Sequence, residues 1–270
     1  MLNQSCKIMG IINLTPDSFS DGGKFSAPEA AVSQIQSWVA EGVDYIDLGA
    51  ESTRPGAMEI SKENEWTRLK PVLEAISRID LGKTRISIDS KNPVTQEKAV
   101  STGMVDMIND VSGIQTAEIL KNLVETAKSK GKQLEYIAMH MHGIPSSMQD
   151  RPLDQDESLA AVERFFYNAQ NQLNRAGILP INTYLDPGIG FGKDDRANLS
   201  LCAATARFAK NFNIAIGVSR KSFIGRLTGI EHPVDRDHVS NATEFGLVCA
   251  GAKMIRTHTP LALKKWLRPQ

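Results

Sequence analysis

Eight times along this chain, a short apolar run closes on a polar residue and gives way to turn-forming chemistry. The runs cover 7–12, 43–48, 85–89, 105–110, 134–140, 181–186, 214–218 and 252–257. Apolar runs this short, bounded by Gly, Pro, Asp and Ser, read as buried strands. The longer stretches between them carry apolar residues at helical spacing. Val32, Ile35 and Val39 form one such stripe, with Ser26 as cap, Pro28 in the first turn and Gly42 as the stop. Ser61 caps a second helix that turns Trp66, Leu69, Leu73 and Ile76 inward, and Pro71 inside that pattern predicts a kink or a late start. Further helices are expected over 93–101, about 155–175, about 195–211, from near 221, about 239–250 and 260–267. The third of these stretches from the end, near 221, is short; the one at 155–175 lines up Leu159, Val162, Phe166, Ala169 and Leu173 and stops at Gly177.

Eight strands alternating with helices predict an α/β fold, the (β/α)8 TIM barrel, with its active site at the C-terminal ends of the strands. A doubly wound open sheet is the runner-up, but no G-x-G-x-x-G follows the first strand. The chain has 270 residues, 41% of them hydrophobic, which suits one barrel and one core. With no repeat, low-complexity stretch or linker, a single domain spans 1–270. Lys plus Arg (31) balances Asp plus Glu (31), which argues against nucleic acid or an acidic membrane as partner. No apolar run has the length to span a bilayer, and the N-terminus M-L-N-Q-S-C-K has no apolar region of signal-peptide type. Cys6, Cys202 and Cys249 are odd in number and far apart, so they read as reduced thiols rather than a disulfide frame or zinc site. A cytoplasmic location is the expectation.

At the strand ends stand Asn13, Asp47 or Glu51, Asp89, Asn109, His140, Asp186, Lys221 and His258. Any one Asp or Asn there could simply cap the next helix. Asp89, Asn109 and Asp186 together favour ligand contacts, because carboxylates that desolvated need donors, and a guanidine-like ligand edge supplies two in a fork. The run Gly188-Ile189-Gly190-Phe191-Gly192-Lys193 could cradle phosphate, but its expected role is close backbone approach to a ring, with Phe191 as side wall. Arg256 and His258, two residues apart, share a face and suit an anionic leaving group. His140-x-His142 has metal-site spacing, yet only His258 among the other histidines could join it, so a zinc or di-metal site is not expected. The loops 13–24 and 49–58 are rich in Gly, Pro and hydroxyls. They are expected to be mobile when free and to form a lid or substrate platform.

Taken together, these residues resemble the dihydropteroate synthase family. The matching segments are M-G-I-I-N-L-T-P-D-S-F-S-D-G-G (9–23), D-L-G-A-E-S-T-R-P-G-A (47–57), S-I-D-S (87–90), I-N-D-V-S-G (108–113), M-H-M-H-G-I-P (139–145), L-D-P-G-I-G-F-G-K (185–193), S-R-K-S-F-I-G (219–225) and R-T-H (256–258). The resemblance implies a transferase of folate biosynthesis: 4-aminobenzoate displaces pyrophosphate from (7,8-dihydropterin-6-yl)methyl diphosphate, giving 7,8-dihydropteroate. It implies a pterin site at Asp89, Asn109, Met139, Asp186, Phe191, Lys221 and Arg256. It places 4-aminobenzoate near Phe19, Thr53, Arg54, Pro55, Lys221 and Ser222, and pyrophosphate on Asn13, Arg256 and His258. Mg2+ is the implied cofactor, with Asn13 as its ligand. Catalytic roles fall to Asp89, Asp186, Lys221, Asp21 and Arg54. The resemblance further implies a homodimer and sulfonamides as inhibitors, with Thr53 and Pro55 as the expected positions of resistance changes.

Three positions depart from the family pattern. Thr257 and Thr259 stand where an aliphatic residue and Asp are usual, and His142 stands where Gln or Lys is. The alternative reading is a pterin-dependent methyltransferase on the same barrel. The T-P-D-S-F-S-D and S-R-K-S segments favour the synthase, because the rival needs neither an aminobenzoate nor a diphosphate site. A non-enzymatic pterin-binding scaffold would be expected to have lost Asn13, Lys221 or His258, and all three are present.

Overall fold

A computed structural model describes residues 6–15, 27–51, 61–144, 147–148 and 150–267. Its eight strands are β1 (Lys7–Asn13), β2 (Tyr45–Gly49), β3 (Arg85–Asp89), β4 (Met107–Asp110), β5 (Glu135–Met139), β6 (Thr183–Asp186), β7 (Ala215–Ile216) and β8 (Met254–Thr257). All pair in parallel, in the order β6-β5-β4-β3-β2-β1-β8-β7. A parallel bridge between Leu185 and Ile214 joins β6 to the β7 edge, and the Leu185 N–H donates to the Asn213 carbonyl at 2.9 Å. The sheet therefore closes into the expected barrel.

The helices are α1 (Ala27–Ala40), α2 (Lys62–Ile76), α3 (Pro93–Ser101), α4 (Ala117–Ser129), α5 (Gln155–Arg175), α6 (Asp195–Ala203), α7 (Thr205–Phe208), α8 (Ser222–Thr228), α9 (Asp237–Cys249) and α10 (Pro260–Leu267). Side-chain caps start five of them. Ser61, Asn92, Thr116 and Asp194 each accept a backbone N–H of the first turn, and Asp154 with Glu157 forms a capping box on α5. Helix α4 is an addition to the sequence reading, although Leu120, Leu123, Val124 and Ala127 line its buried face. The stretch expected as one helix over 195–211 is two, divided at Ala204.

The late start expected from Pro71 does not occur. Helix α2 begins at Lys62 and runs unbroken to Ile76. Pro71 and Thr67, whose carbonyl loses its usual partner, both sit on the exposed face, where water can satisfy that group.

Strand alternation divides the apolar residues into two sets. Ile8, Ile12, Ile46, Leu48, Ile86, Ile88, Ile108, Leu185, Ile214, Ile216 and Ile255 join the core between barrel and helices. Met9, Tyr45, Met107, Ile137, Tyr184, Ala215 and Met254 form a separate cluster that fills the barrel interior. Beneath it, at the N-terminal end of the strands, Tyr45 donates to Glu135 at 2.6 Å and Arg85 reaches the same carboxylate at 2.9 Å. That end is plugged, so an accessible site has only the opposite mouth. The three cysteines are free thiols, and no helix among the described residues is long and apolar enough to cross a membrane.

Candidate active site

Above the apolar filling, the next inward positions are polar. Parallel register puts Asp47 beside Ser87 and Asp89 beside Asn109. Asp47 is fully buried and accepts three hydrogen bonds: from Ser87 Oγ at 2.7 Å, Asn109 Nδ2 at 3.0 Å and Arg256 Nε at 2.5 Å. Arg256 Nη2 donates to Asp89 Oδ2 as well. One guanidinium thus clamps two carboxylates from different strands, which is how two buried acidic groups coexist in the lumen. Burial pushes the Asp89 carboxyl up to about 7, against the pull of Arg256 and with Asp47, Glu65 and Asp110 adding to the rise.

The opposite wall is built by the loop after β6 and the turn after β7. Asp186 ends β6 opposite Met139 of β5. Its Oδ1 accepts the Gly188 N–H at 2.7 Å, which leaves Oδ2 for a ligand. Burial raises the Asp186 carboxyl above the ordinary carboxylate range, and the Lys221 ammonium opposes that rise. Lys221 donates to the Ile189 carbonyl and lies 4.3 Å from the centre of the Phe191 ring. Enclosure lowers its ammonium to about 8, with Asp186 the main group resisting the fall.

Two glycines of the 188–193 loop are required by packing within the protein. A Cβ at Gly188 would stand 1.9 Å from the His140 carbonyl oxygen, and one at Gly192 would stand 2.2 Å from that of His142. Both residues also have positive φ, 66° and 67°. The close approach is therefore to the chain leaving β5. Lys193, 1% exposed, fastens it by donating to the carbonyls of His140 (3.2 Å), Gly188 (3.0 Å) and Phe191 (2.9 Å). Burial brings that ammonium down to about 7.

His258 follows β8 and packs on Ser219. The Ser219 hydroxyl accepts the His258 backbone N–H at 3.1 Å and lies 3.0 Å from Nδ1. The hydroxyl can donate to Nδ1 or accept from it according to the tautomer of the ring, and either way it fixes the orientation of the imidazole. The two departures from the family pattern reinforce the same turn. The Thr259 N–H donates to Thr257 Oγ1 at 3.2 Å, and Thr259 Oγ1 donates to Asn241 Oδ1 at 2.8 Å. Ser219→Ala is expected to lower turnover about fivefold, the equivalent of one ordinary hydrogen bond, with an unchanged melting temperature. Steady-state kinetics showing full turnover would remove Ser219 from the support of His258.

None of Asp89, Asn109 or Asp186 caps a helix; Asn92 and Thr116 do that work after β3 and β4. Asp47 lies one layer below the rim rather than at it, and Glu51 pairs with Lys91 at 3.5 Å. His140, expected with the strand-end set, turns the other way. It packs edge-on against Phe165 of α5, ring centroids 5.5 Å apart, and burial lowers its imidazole to about 3. Among the described residues, no group of three or more His, Cys, Asp or Glu could hold a metal ion. Asn13 ends β1 beside Gly49, Ser222 opens α8, and both are on this mouth. Phe19, Asp21, Thr53, Arg54 and Pro55 lie outside the described residues.

Ser87, Lys193 and Ser219 entered the sequence reading only as members of their segments, with no role of their own. Period-two counting back from Asp89 would have found Ser87 on the same face. Lys193 and Ser219 carry no such signal, since each acts on residues far away in sequence.

The assembled mouth offers two carboxylates for a ligand edge rich in donors, an ammonium and a guanidinium for anionic charge, and an imidazole N–H. Comparison with known proteins gives a consistent set of matches. The family model described as pterin binding enzyme matches residues 9–258. A dihydropteroate synthase of Neisseria meningitidis serogroup C is 39% identical over 267 residues, which is 96% of this chain and 91% of that protein. The Xanthomonas albilineans dihydropteroate synthase solved with 4-aminobenzoic acid superposes with a TM-score of 0.84 at 34% identity, covering 98% of this chain and 95% of the other. The Yersinia pestis dihydropteroate synthase solved with a sulfonamide drug complex gives 0.83 at 34% identity, covering 97% and 91%.

Proposed function

Since this chain belongs to the pterin-binding enzyme family, among the dihydropteroate synthases, we infer that its barrel mouth is where it condenses (7,8-dihydropterin-6-yl)methyl diphosphate with 4-aminobenzoate. The products are 7,8-dihydropteroate and pyrophosphate. The observation that carries the reading is the gathering of Asp89, Asn109, Asp186 and Lys221 around one mouth of a barrel matched by its family from residue 9 to residue 258.

The pterin binds with its donor edge on Asp186 and Asp89, Asn109 holds the ring from the β4 side, and Phe191, Met139 and Lys221 enclose it. The C–O bond between the pterin methylene and diphosphate breaks, and the electron pair leaves with pyrophosphate. The arylamine nitrogen forms the new C–N bond and then loses a proton to solvent; being a free amine at neutral pH, it needs no strong base. Asp186 and Asp89 stabilise the positive charge that develops on the methylene, and Arg256 with the His258 imidazole stabilises the departing anion. Ser222, at the start of α8, and Lys221 face the carboxylate of 4-aminobenzoate. Phe19, Thr53 and Pro55 complete that subsite, with Asp21 and Arg54 as catalytic loop residues.

The donor set suits Mg2+ carried by the substrate. A single amide oxygen at Asn13 is a poor cage by itself, but Mg2+ characteristically keeps several waters and binds through substrate phosphates. Bound there, Mg2+ would neutralise charge on the leaving diphosphate. Chelation with EDTA is expected to suppress turnover while leaving the melting temperature unchanged. Full activity in excess EDTA would remove the metal from the mechanism.

We also propose a cytoplasmic location, a homodimer, and inhibition by sulfonamides that occupy the aminobenzoate subsite, a reading supported by the relative solved with a sulfonamide drug complex. The test of the function is pyrophosphate release from the pterin diphosphate, with and without 4-aminobenzoate. Release that depends on the arylamine and yields dihydropteroate is the expected result. Absence of arylamine-dependent release would overturn the reading.

A further inference from the structure

Lys221 is aimed at the pocket by an unusual residue before it. Arg220 has φ of 59°, and it is the one non-glycine residue among those described with positive φ. A side chain in that conformation is disfavoured by clash of its Cβ with the backbone, so it persists only where the surroundings impose it. Here the backbone N–H, the carbonyl and two guanidinium nitrogens of Arg220 are engaged. Its N–H donates to Ser240 Oγ at 3.0 Å. Its carbonyl accepts from Arg236 Nη1 at 3.1 Å. Its guanidinium makes a two-pronged pair with Asp237, Nε to Oδ1 at 2.7 Å and Nη2 to Oδ2 at 2.8 Å.

All three partners belong to the first turn of α9 or the residue before it. Ser240 is fully buried and Arg236 nearly so. Arg236 is itself locked: it donates to the Ile230 carbonyl at 2.9 Å and to that of Glu231, and it packs against Gly225, where an added Cβ would stand 2.6 Å from Nη2. After Arg220 the chain returns to ordinary geometry. The Lys221 N–H closes the turn on the Val218 carbonyl at 3.2 Å, and Lys221 begins α8.

We propose that Asp237, Ser240 and Arg236 are positioning residues for the reaction: they hold Arg220 left-handed, and that turn directs Lys221 across the pocket towards Ile189 and Phe191. The proposal rests on Lys221 facing the pterin, as assigned above. Their hydrogen bonds act on Arg220 itself, and Arg236 also packs against Gly225 of α8, so the effect reaches Lys221 through the backbone on both sides of it.

Glycine separates conformation from charge, because it takes positive φ without strain. Three variants, Arg220→Ala, Arg220→Gly and Asp237→Ala, and the double variant Arg220→Gly with Asp237→Ala, are compared by calorimetric titration with the pterin diphosphate, well below the melting temperature of each. Arg220→Ala loses both the pair and the tolerance for the turn, and its pterin affinity is expected to fall about tenfold. Asp237→Ala is expected to show a similar loss. Arg220→Gly keeps the turn without the pair and should stay within about threefold of the wild type. Asp237→Ala should add nothing in the glycine background. Equal impairment of the Ala and Gly variants would overturn the proposal, as would a lower melting temperature with unchanged pterin affinity in Arg220→Ala. If the wild-type protein itself binds no pterin diphosphate, the functional reading falls and this inference with it; if the wild type binds and Arg220→Ala binds equally well, this inference alone falls.

Discussion

Arg256→Gln is expected to destabilise the protein by about 3–5 kcal/mol at pH 8, the range for removing one partner of a buried ion pair. Arg256 is the shared partner of Asp47, which is fully buried, and Asp89. Glutamine can replace at most one of those hydrogen bonds and none of the charge. The pH dependence follows from the carboxylates. Asp89 in the folded protein already sits at about 7, above an unfolded carboxylate, because of burial and its acidic neighbours. Without the guanidinium its folded pKa rises further. Below about pH 7 the carboxyl is protonated in both native proteins, so the extra loss in the variant develops from about pH 7, where the wild type ionises, up to the variant's higher folded value. Stability is therefore retained at acidic pH and lost as pH rises through the folded pKa. Urea denaturation at pH 5 and pH 8 should show a much smaller deficit at pH 5. A deficit independent of pH would mean that Arg256 acts by packing rather than by charge.

Asp186→Asn is expected to weaken binding of the pterin diphosphate by about 2–4 kcal/mol, the range for charge-assisted hydrogen bonds to one carboxylate. The substitution also acts on Lys221. Enclosure holds that ammonium near 8, and Asp186 is the largest influence keeping it that high. Removing the carboxylate lowers it further, so the charged form of Lys221 is lost at lower pH as pH rises. The alkaline limb of the turnover profile should move down accordingly. Calorimetry gives the affinity and steady-state kinetics the limb. Unchanged pterin affinity would sink the assigned pocket, whatever the kinetics show.

The contrast between Asp89 and His140 illustrates what was legible beforehand. Both end apolar runs and both looked like members of one set. Register resolves them: Asp89 lies in the inward alternation with Ser87 and Asn109, whereas His140 falls one residue beyond the inward Met139 and packs on Phe165. A one-residue difference reverses the face of a strand, and strand ends read from apolar runs are uncertain by about that much. Helix α4 was passed over for a related reason: its stripe is sound, but it begins and ends in polar stretches that read equally well as loop.

The sequence by itself determined the architecture, the one mouth at which chemistry can occur, and the kinds of group gathered there. Local physics suffices for these, because alternation, helical spacing, caps and strand-end polar residues are all set by neighbours within a few positions. The tertiary structure alone decided which polar groups support which. Arg256 meets Asp47 across 209 residues, His258 meets Ser219 across 39, and Lys193 meets His140 across 53. The first depends on closing the barrel, which brings β8 beside β1, and the other two on the parallel pairing of β7 with β8 and of β5 with β6. Only closure removes water from the lumen, and only without water do these charges need one another, which is why no local pattern in the chain could announce their partners.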